Sequence, residues 1–215
     1  MTLLEELPRG SFHERSIPVL ETKRLMLRAP RLEDAKAVAV LANDRRIAEN
    51  TARIPHPYKL SDAESFIGTA NKGEEALFLI TARDGVNKGA IIGACGFITQ
   101  EKPVPELGYW LGVEHWGKGY ATEALHALVD YMFGEFDHPA LQAGARVTNP
   151  ASRRVLEKCG FQWTGVGLYR IRAINSSAPI DRFRLDRGIW TALKAWGSEG
   201  RGRPKSVGRS KKVMM

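Results

Sequence analysis

The sequence predicts a mixed α/β (α+β) domain, on three observations. Strand-like segments follow one another closely between residues 76 and 113, a long amphipathic helix comes directly after them, and a second, well-punctuated helix follows one further strand.

Glu21–Arg28 reads as the first strand, with Arg24, Met26 and Arg28 on one side and Leu25 and Leu27 on the other. Pro30 closes it. Leu32–Leu41 reads as a helix with Asp34 in its first turn, and Arg45–Asn50 as a short one. After the Pro-rich loop Ile54–Tyr58, Ser61–Asn71 is expected as a third, with Ser61 and Glu64 forming a capping box. Strands are expected over Ala76–Ala82, Ala90–Thr99 and Glu106–Val113, the first two joined through Asp84 and Gly85. In Tyr120–Phe133, residues Ala121, Ala124, Leu125, Leu128, Val129 and Met132 make one apolar stripe at helical spacing. Leu141–Val147 is a strand. Asn149 and Pro150 then open a helix that Gly160 stops, matching the Asn cap, first-turn Pro and terminal Gly preferences. Phe161–Ile171 and Arg182–Trp190 are expected as a closing strand pair around a loop at Ala173–Pro179.

A chain of 215 residues, 43% hydrophobic, supports one domain with a sizeable core. No apolar run approaches the roughly 20 residues of a membrane helix. The start, Met1–Gly10, carries Glu5 and Glu6 and is unlike a secretory signal. Two cysteines, Cys95 and Cys159, are too few for a disulfide framework or zinc site, so a cytoplasmic protein with reduced thiols and no metal is expected. Of the net charge of +8, +5 sits in Gly197–Met215, which leaves +3 on the rest. The expected organisation is a leader at 1–19, a folded domain at 20–196 and a basic tail at 197–215. The tail lacks aromatics and is rich in Gly and Ser, so disorder is expected there. Contact with nucleic acid is one role for its charge, and plain solvation the other.

The chemically informative stretch is Glu106-Leu-Gly-Tyr-Trp-Leu-Gly-Val-Glu-His-Trp-Gly-Lys-Gly-Tyr-Ala-Thr-Glu-Ala124, a strand, a glycine turn and a helix. A helix N-terminus offers unpaired N–H groups and partial positive charge, and glycines let that backbone approach an anion. This is the physics of a phosphate site. Gly112-x-x-x-x-Gly117-Lys118 matches most of a P-loop, but Gly119 stands where a Ser or Thr must hold magnesium.

Trp116-Gly117-Lys118-Gly119-Tyr120-Ala121 resembles the acetyl-CoA turn of the GNAT superfamily, Gln/Arg-x-x-Gly-x-Gly/Ala, with Trp116 departing from the leading Gln/Arg. Asn149-Pro-Ala-Ser152-Arg-Arg-Val-Leu156-Glu-Lys158-Cys-Gly160-Phe161 resembles the second GNAT signature, in the variant of the RimJ/RimL branch of ribosomal-protein N-terminal acetyltransferases. So do Glu21–Leu25, Ile54–Tyr58 and Leu107–Leu111, and together these matches span about residues 20–190. The resemblance implies a single GNAT-like domain. Its mixed, twisted sheet of about seven strands would be flanked by helices and would splay between the strands at 106–113 and 141–147.

The resemblance also implies an N-acetyltransferase that uses acetyl-CoA and no metal. Backbone amides of Gly117, Lys118, Gly119, Tyr120, Ala121 and Thr122 would bind the pyrophosphate, and Leu111 and Val113 would offer backbone groups to the pantetheine and acetyl. An N–H there would stabilise the developing oxyanion. Asn149 serves as helix cap or as coenzyme contact, and Ser152 as a plain first-turn serine or as a further coenzyme contact. Glu106 is the candidate base, because the amine must lose a proton to attack. Where many GNAT enzymes place a tyrosine acid, this chain has Leu156, so the thiolate would leave without help or take its proton from Ser152 or water. His115, His126 and His138 form no ligand pattern, while His56, Tyr58 and Tyr109 are candidates to line the acceptor site. The acceptor would be a small amine or a protein N-terminus, a ribosomal protein among them. A non-catalytic acetyl-CoA-binding module and a P-loop nucleotide binder are the alternatives.

Overall fold

A computed structural model describes residues 17–70, 75–83, 85, 88–98 and 104–199. The leader through residue 16, the tail from 200, and the expected element ends at Asn71, Asp84 and Thr99 lie outside these.

The strands are β1 (Leu20–Glu21), β2 (Leu25–Arg28), β3 (Glu75–Ala82), β4 (Ile91–Ile98), β5 (Glu106–Leu111), β6 (Ala140–Arg146), β7 (Gln162–Ile171) and β8 (Ser176–Asp186). The helices are α1 (Ala35–Ala42), α2 (Arg45–Ala48), α3 (Leu60–Thr69), α4 (Tyr120–Glu135), α5 (Pro150–Lys158) and α6 (Arg187–Glu199). The strands form one sheet in the order β1-β2-β3-β4-β5-β6-β8-β7. All neighbours are antiparallel except β5 and β6.

Among the described residues the sheet has eight strands where about seven were expected, because the first segment is a hairpin. Leu20 pairs with Leu27 and Glu21 with Met26, around a turn at Thr22–Arg24. Within β2 the expected faces hold, with Leu25 and Leu27 fully buried. α3 starts at Leu60, earlier than expected, because the Asp62 carboxylate accepts the Lys59 N–H at 2.9 Å and sets the cap there in place of Ser61 and Glu64. The largest correction lies at the end of the domain. Arg182–Trp190 is not one strand: β8 ends at Asp186 and α6 begins at Arg187. Arg187 anchors that start, donating to the carbonyls of Phe133, Phe136 and His138. α6 runs to Glu199, across the expected boundary between 196 and 197.

Each face of the sheet carries a helical layer. On one side the α4 stripe, Ala124, Leu125, Leu128, Val129 and Met132, packs on Leu25, Leu27, Phe78, Leu107 and Leu141. On the other, α1 and α3 pack through Val38, Ala63 and Ile67 on Leu79, Ala94 and Trp110. The two layers hold β5 rigidly between them, with Leu107 and Leu111 facing α4 and Trp110 facing α1 and α3.

Candidate active site

β5 and β6 pair at two rungs only, Glu106 with Gln142 and Leu107 with Ala143, and no pairing continues beyond them. The gap this leaves has exposed backbone on its β5 side. Gly112 N–H bonds Ile92 of β4, so the alternation of an antiparallel ladder turns the backbone groups of Tyr109 and Leu111 the other way, toward the gap. Trp116, the residue in place of Gln/Arg, donates its indole N–H to the Leu111 carbonyl at 2.9 Å. That bond engages the Leu111 carbonyl and leaves the Leu111 N–H facing the gap.

β5 stops at Leu111 and the chain tightens into a 3-10 turn, Val113–His115. Val113 is thus off the strand and off the cavity lining, contrary to the expectation for it. Gly117 and Gly119 then take left-handed φ of 73° and 79°, and Gly119 caps α4. A side chain at either position would be strained. The first-turn amides of Tyr120, Ala121 and Thr122 have no acceptor inside the helix, and they open beside the gap. Lys118 is exposed and does not line the cavity. What Lys118 supplies is its carbonyl, which accepts from Arg24 Nη1 at 3.0 Å.

That arginine belongs to a clamp that the sequence did not reveal. Arg24 Nε meets Glu123 Oε2 at 2.7 Å, and Thr22 Oγ1 and Arg24 N–H donate to Oε1 at 2.7 and 2.8 Å. The guanidinium also lies 4.6 Å over the Tyr120 ring. The β1–β2 turn thereby grips the first turn of α4. Partial burial works against the Glu123 charge, yet the hydrogen bonds from Thr22 and Arg24 prevail and its pKa lies below the ordinary value.

On the far wall, the Asn149 side chain accepts the Ser152 N–H at 3.0 Å, the cap expected from the sequence. Ser152 Oγ accepts from the Tyr109 hydroxyl at 2.9 Å. Leu156 is fully buried. Cys159 and Cys95 are free thiols in buried positions, and burial raises the pKa of both. His115 is buried and burial lowers its pKa, so it stands neutral at physiological pH. At the other end, Glu106 accepts from the Tyr169 hydroxyl at 3.4 Å.

These parts share one cavity of about 650 Å³. Of the expected site residues, Glu106, Leu111, Gly117, Gly119, Tyr120, Ala121, Thr122, Asn149 and Ser152 line it. Tyr109 also lines it, whereas His56 and Tyr58 do not. Among the described residues no group of three His, Cys, Asp or Glu side chains is placed to hold a metal, and no helix is long and apolar enough to cross a membrane.

The acetyltransferase (GNAT) domain family matches residues 24–162, most of the chain. The chain belongs to the GNAT acetyltransferase family. It is 33% identical over 153 residues to the uncharacterized N-acetyltransferase p20 of Bacillus licheniformis, covering 68% of this chain and 84% of that one. Among solved structures, this acetyltransferase superposes on the microcin C7 self-immunity acetyltransferase MccE, in complex with acetyl-CoA and AMP. The TM-score is 0.67 at 22% identity, over 77% of this chain and 93% of that one. RimL, the ribosomal L7/L12 α-N-protein acetyltransferase in complex with coenzyme A, gives a TM-score of 0.67 at 18% identity, over 79% and 98% of the two chains. As a member of this family the protein is an acyltransferase that moves an acetyl group to an amine. The P-loop alternative fails on architecture: β5 is antiparallel to β4, and the residues after Gly112 form a 3-10 turn.

Proposed function

We propose that acetyl-CoA is the donor, with its pyrophosphate on the turn at 117–122 and its thioester in the β5–β6 gap. The residues present fit such a ligand: two left-handed glycines, free first-turn amides, and the backbone of Tyr109 and Leu111 facing the gap. The observation that carries this reading is continuity. One cavity joins the glycine turn, the strand gap and the Glu106 carboxylate.

In this reading Glu106 takes the proton of the attacking amine, directly or through water, and the Leu111 N–H steadies charge on the carbonyl oxygen. Ser152 Oγ–H donates to the departing sulfur. Asn149 holds the first turn of α5 so that Ser152 faces the gap. The acceptor is a protein N-terminus, such as that of a ribosomal protein, or a small amine. An α-amino group, with a pKa of about 7.7–8.0, needs little help to lose its proton. We place the reaction in the cytoplasm.

The test is acetyl transfer to a panel of amines and N-terminal peptides, read by mass spectrometry. Glu106→Gln is expected to keep acetyl-CoA binding and lose about a hundredfold in kcat. An unchanged kcat removes Glu106 from the role of base. Binding without transfer to any amine supports the non-catalytic module instead.

A further inference from the structure

Arg146 ends β6 and reaches the C-terminal end of α2, where Nη1 donates to the Glu49 carbonyl at 2.8 Å. That bond fixes the guanidinium beside the cavity, whose wall it forms in part. Its Nε is buried with no acceptor among the described residues. A buried donor on a cation is costly to leave unpaired, and such groups are rare in folded proteins. The carboxylate of Glu49, whose carbonyl Arg146 bonds, is engaged with Arg45 at 2.6 Å.

The charge of the cavity points the same way. Arg53, Arg146, Arg154 and Lys158 line it, and Glu106 is the single carboxylate to do so among the described residues. Arg154 and Lys158 belong to α5, on the wall where Ser152 and Asn149 stand. Arg146 lies on the opposite face of the sheet. Leu141, Ala143 and Ala145 point into the α4 core, so Gln142 and Arg146 point to the side of α2. Glu106 is paired with Gln142, so Glu106 and Arg146 share that face, about 13 Å apart along the strand. A guanidinium fork matches a carboxylate or phosphate in geometry as well as charge.

We infer that the acceptor is an amine that carries its own anionic group, a carboxylate or a phosphate, which Arg146 binds while the amine meets Glu106. This rests on the proposed placement of the acceptor at the Glu106 end of the cavity. Acidic N-terminal peptides and small amino acids both satisfy the chemistry, and the probes separate them.

The experiment follows the Arg146 Nε–H resonance in the full-length protein, assigned by its loss in Arg146→Lys. Three matched pairs are titrated: L-alanine and L-alaninamide; phosphoethanolamine and ethanolamine; and amidated Ser-Glu-Ala-Ala and Ser-Gln-Ala-Ala peptides. The expected result is a shift with the anionic member of at least one pair and none with its neutral partner; the pair that responds identifies the source of the anion. In turnover, wild type is expected to prefer that anionic member at least tenfold in kcat/KM, with the ratio falling toward one in Arg146→Gln. If no pair moves the resonance, or both members move it alike, the inference is overturned. Failure of acetyl-CoA binding would instead sink the parent reading and leave the resonance experiment standing.

Discussion

The Tyr109 hydroxyl donates a 2.9 Å hydrogen bond to Ser152 Oγ, joining β5 to α5 at the edge of the strand gap. Because the serine oxygen accepts there, its own proton is free to point elsewhere. Burial pushes the tyrosine up to about 12, so it remains a donor throughout the working pH range. In the proposed reaction this hydroxyl pair serves in place of the tyrosine that Leu156 excludes from α5. Tyr109→Phe is expected to lower kcat about tenfold with little change in KM for acetyl-CoA, and Ser152→Ala to lower it by up to a hundredfold. Steady-state kinetics decide this, and wild-type kcat in both variants would remove the pair from proton delivery.

The Arg24 clamp should act on binding rather than on chemistry. Its bonds to Glu123 and Lys118 are charge-assisted but partly exposed, which leaves about 1 kcal/mol for holding the turn. Arg24→Gln is expected to raise KM for acetyl-CoA about fivefold at nearly constant kcat. A change in kcat alone would show that the clamp reaches the reacting atoms.

Gly119 tests the turn itself. At φ of 79° an alanine would be strained, and its Cβ would lie 3.4 Å from Arg24 Nη2. Gly119→Ala is expected to cost about 1–2 kcal/mol, visible as a lower Tm, and to weaken acetyl-CoA binding. Binding as tight as wild type would show that the turn does not contact the coenzyme.

Stability should fall in acid partly through Asp34. Its carboxylate takes both arms of Arg28 at 2.8 Å and the Arg31 N–H at 2.7 Å. The Arg28 hydrogen bond is the main reason that its pKa lies below the ordinary 3.8. A folded-state pKa below the unfolded one gives a contribution that is complete above the unfolded value and lost as pH falls through the folded one. Asp34→Asn is expected to cost about 2–3 kcal/mol at pH 7 and to flatten the acid limb of the stability curve below pH 4. Urea titrations across pH measure both, and a parallel acid limb would contradict it.

Much of this was legible where one period dominated. The α4 stripe and the Asn149–Gly160 punctuation predict their helices because local pattern and tertiary burial agree there. The early hairpin was not legible, since its turn exists to present Thr22 and Arg24 to Glu123, a contact 99 residues away for Arg24. α6 did carry a signal, Ile189, Leu193 and Trp196 at helical spacing, which the strand pattern of β8 masked. In the site, the glycine turn was readable from spacing. Tyr109 was named from the sequence only as a candidate to line the acceptor site; its bond to Ser152 and the place of Arg146 were not readable, because both depend on where β5 and β6 part.

The most direct measurement is thermal unfolding with acetyl-CoA beside magnesium-ATP. A ligand at a hundred times its Kd adds about 2.7 kcal/mol to the folded state, which for a domain of this size raises Tm by about 5–10 °C. That rise is expected with acetyl-CoA and not with magnesium-ATP. A rise with magnesium-ATP alone, or with neither, would contradict that expectation.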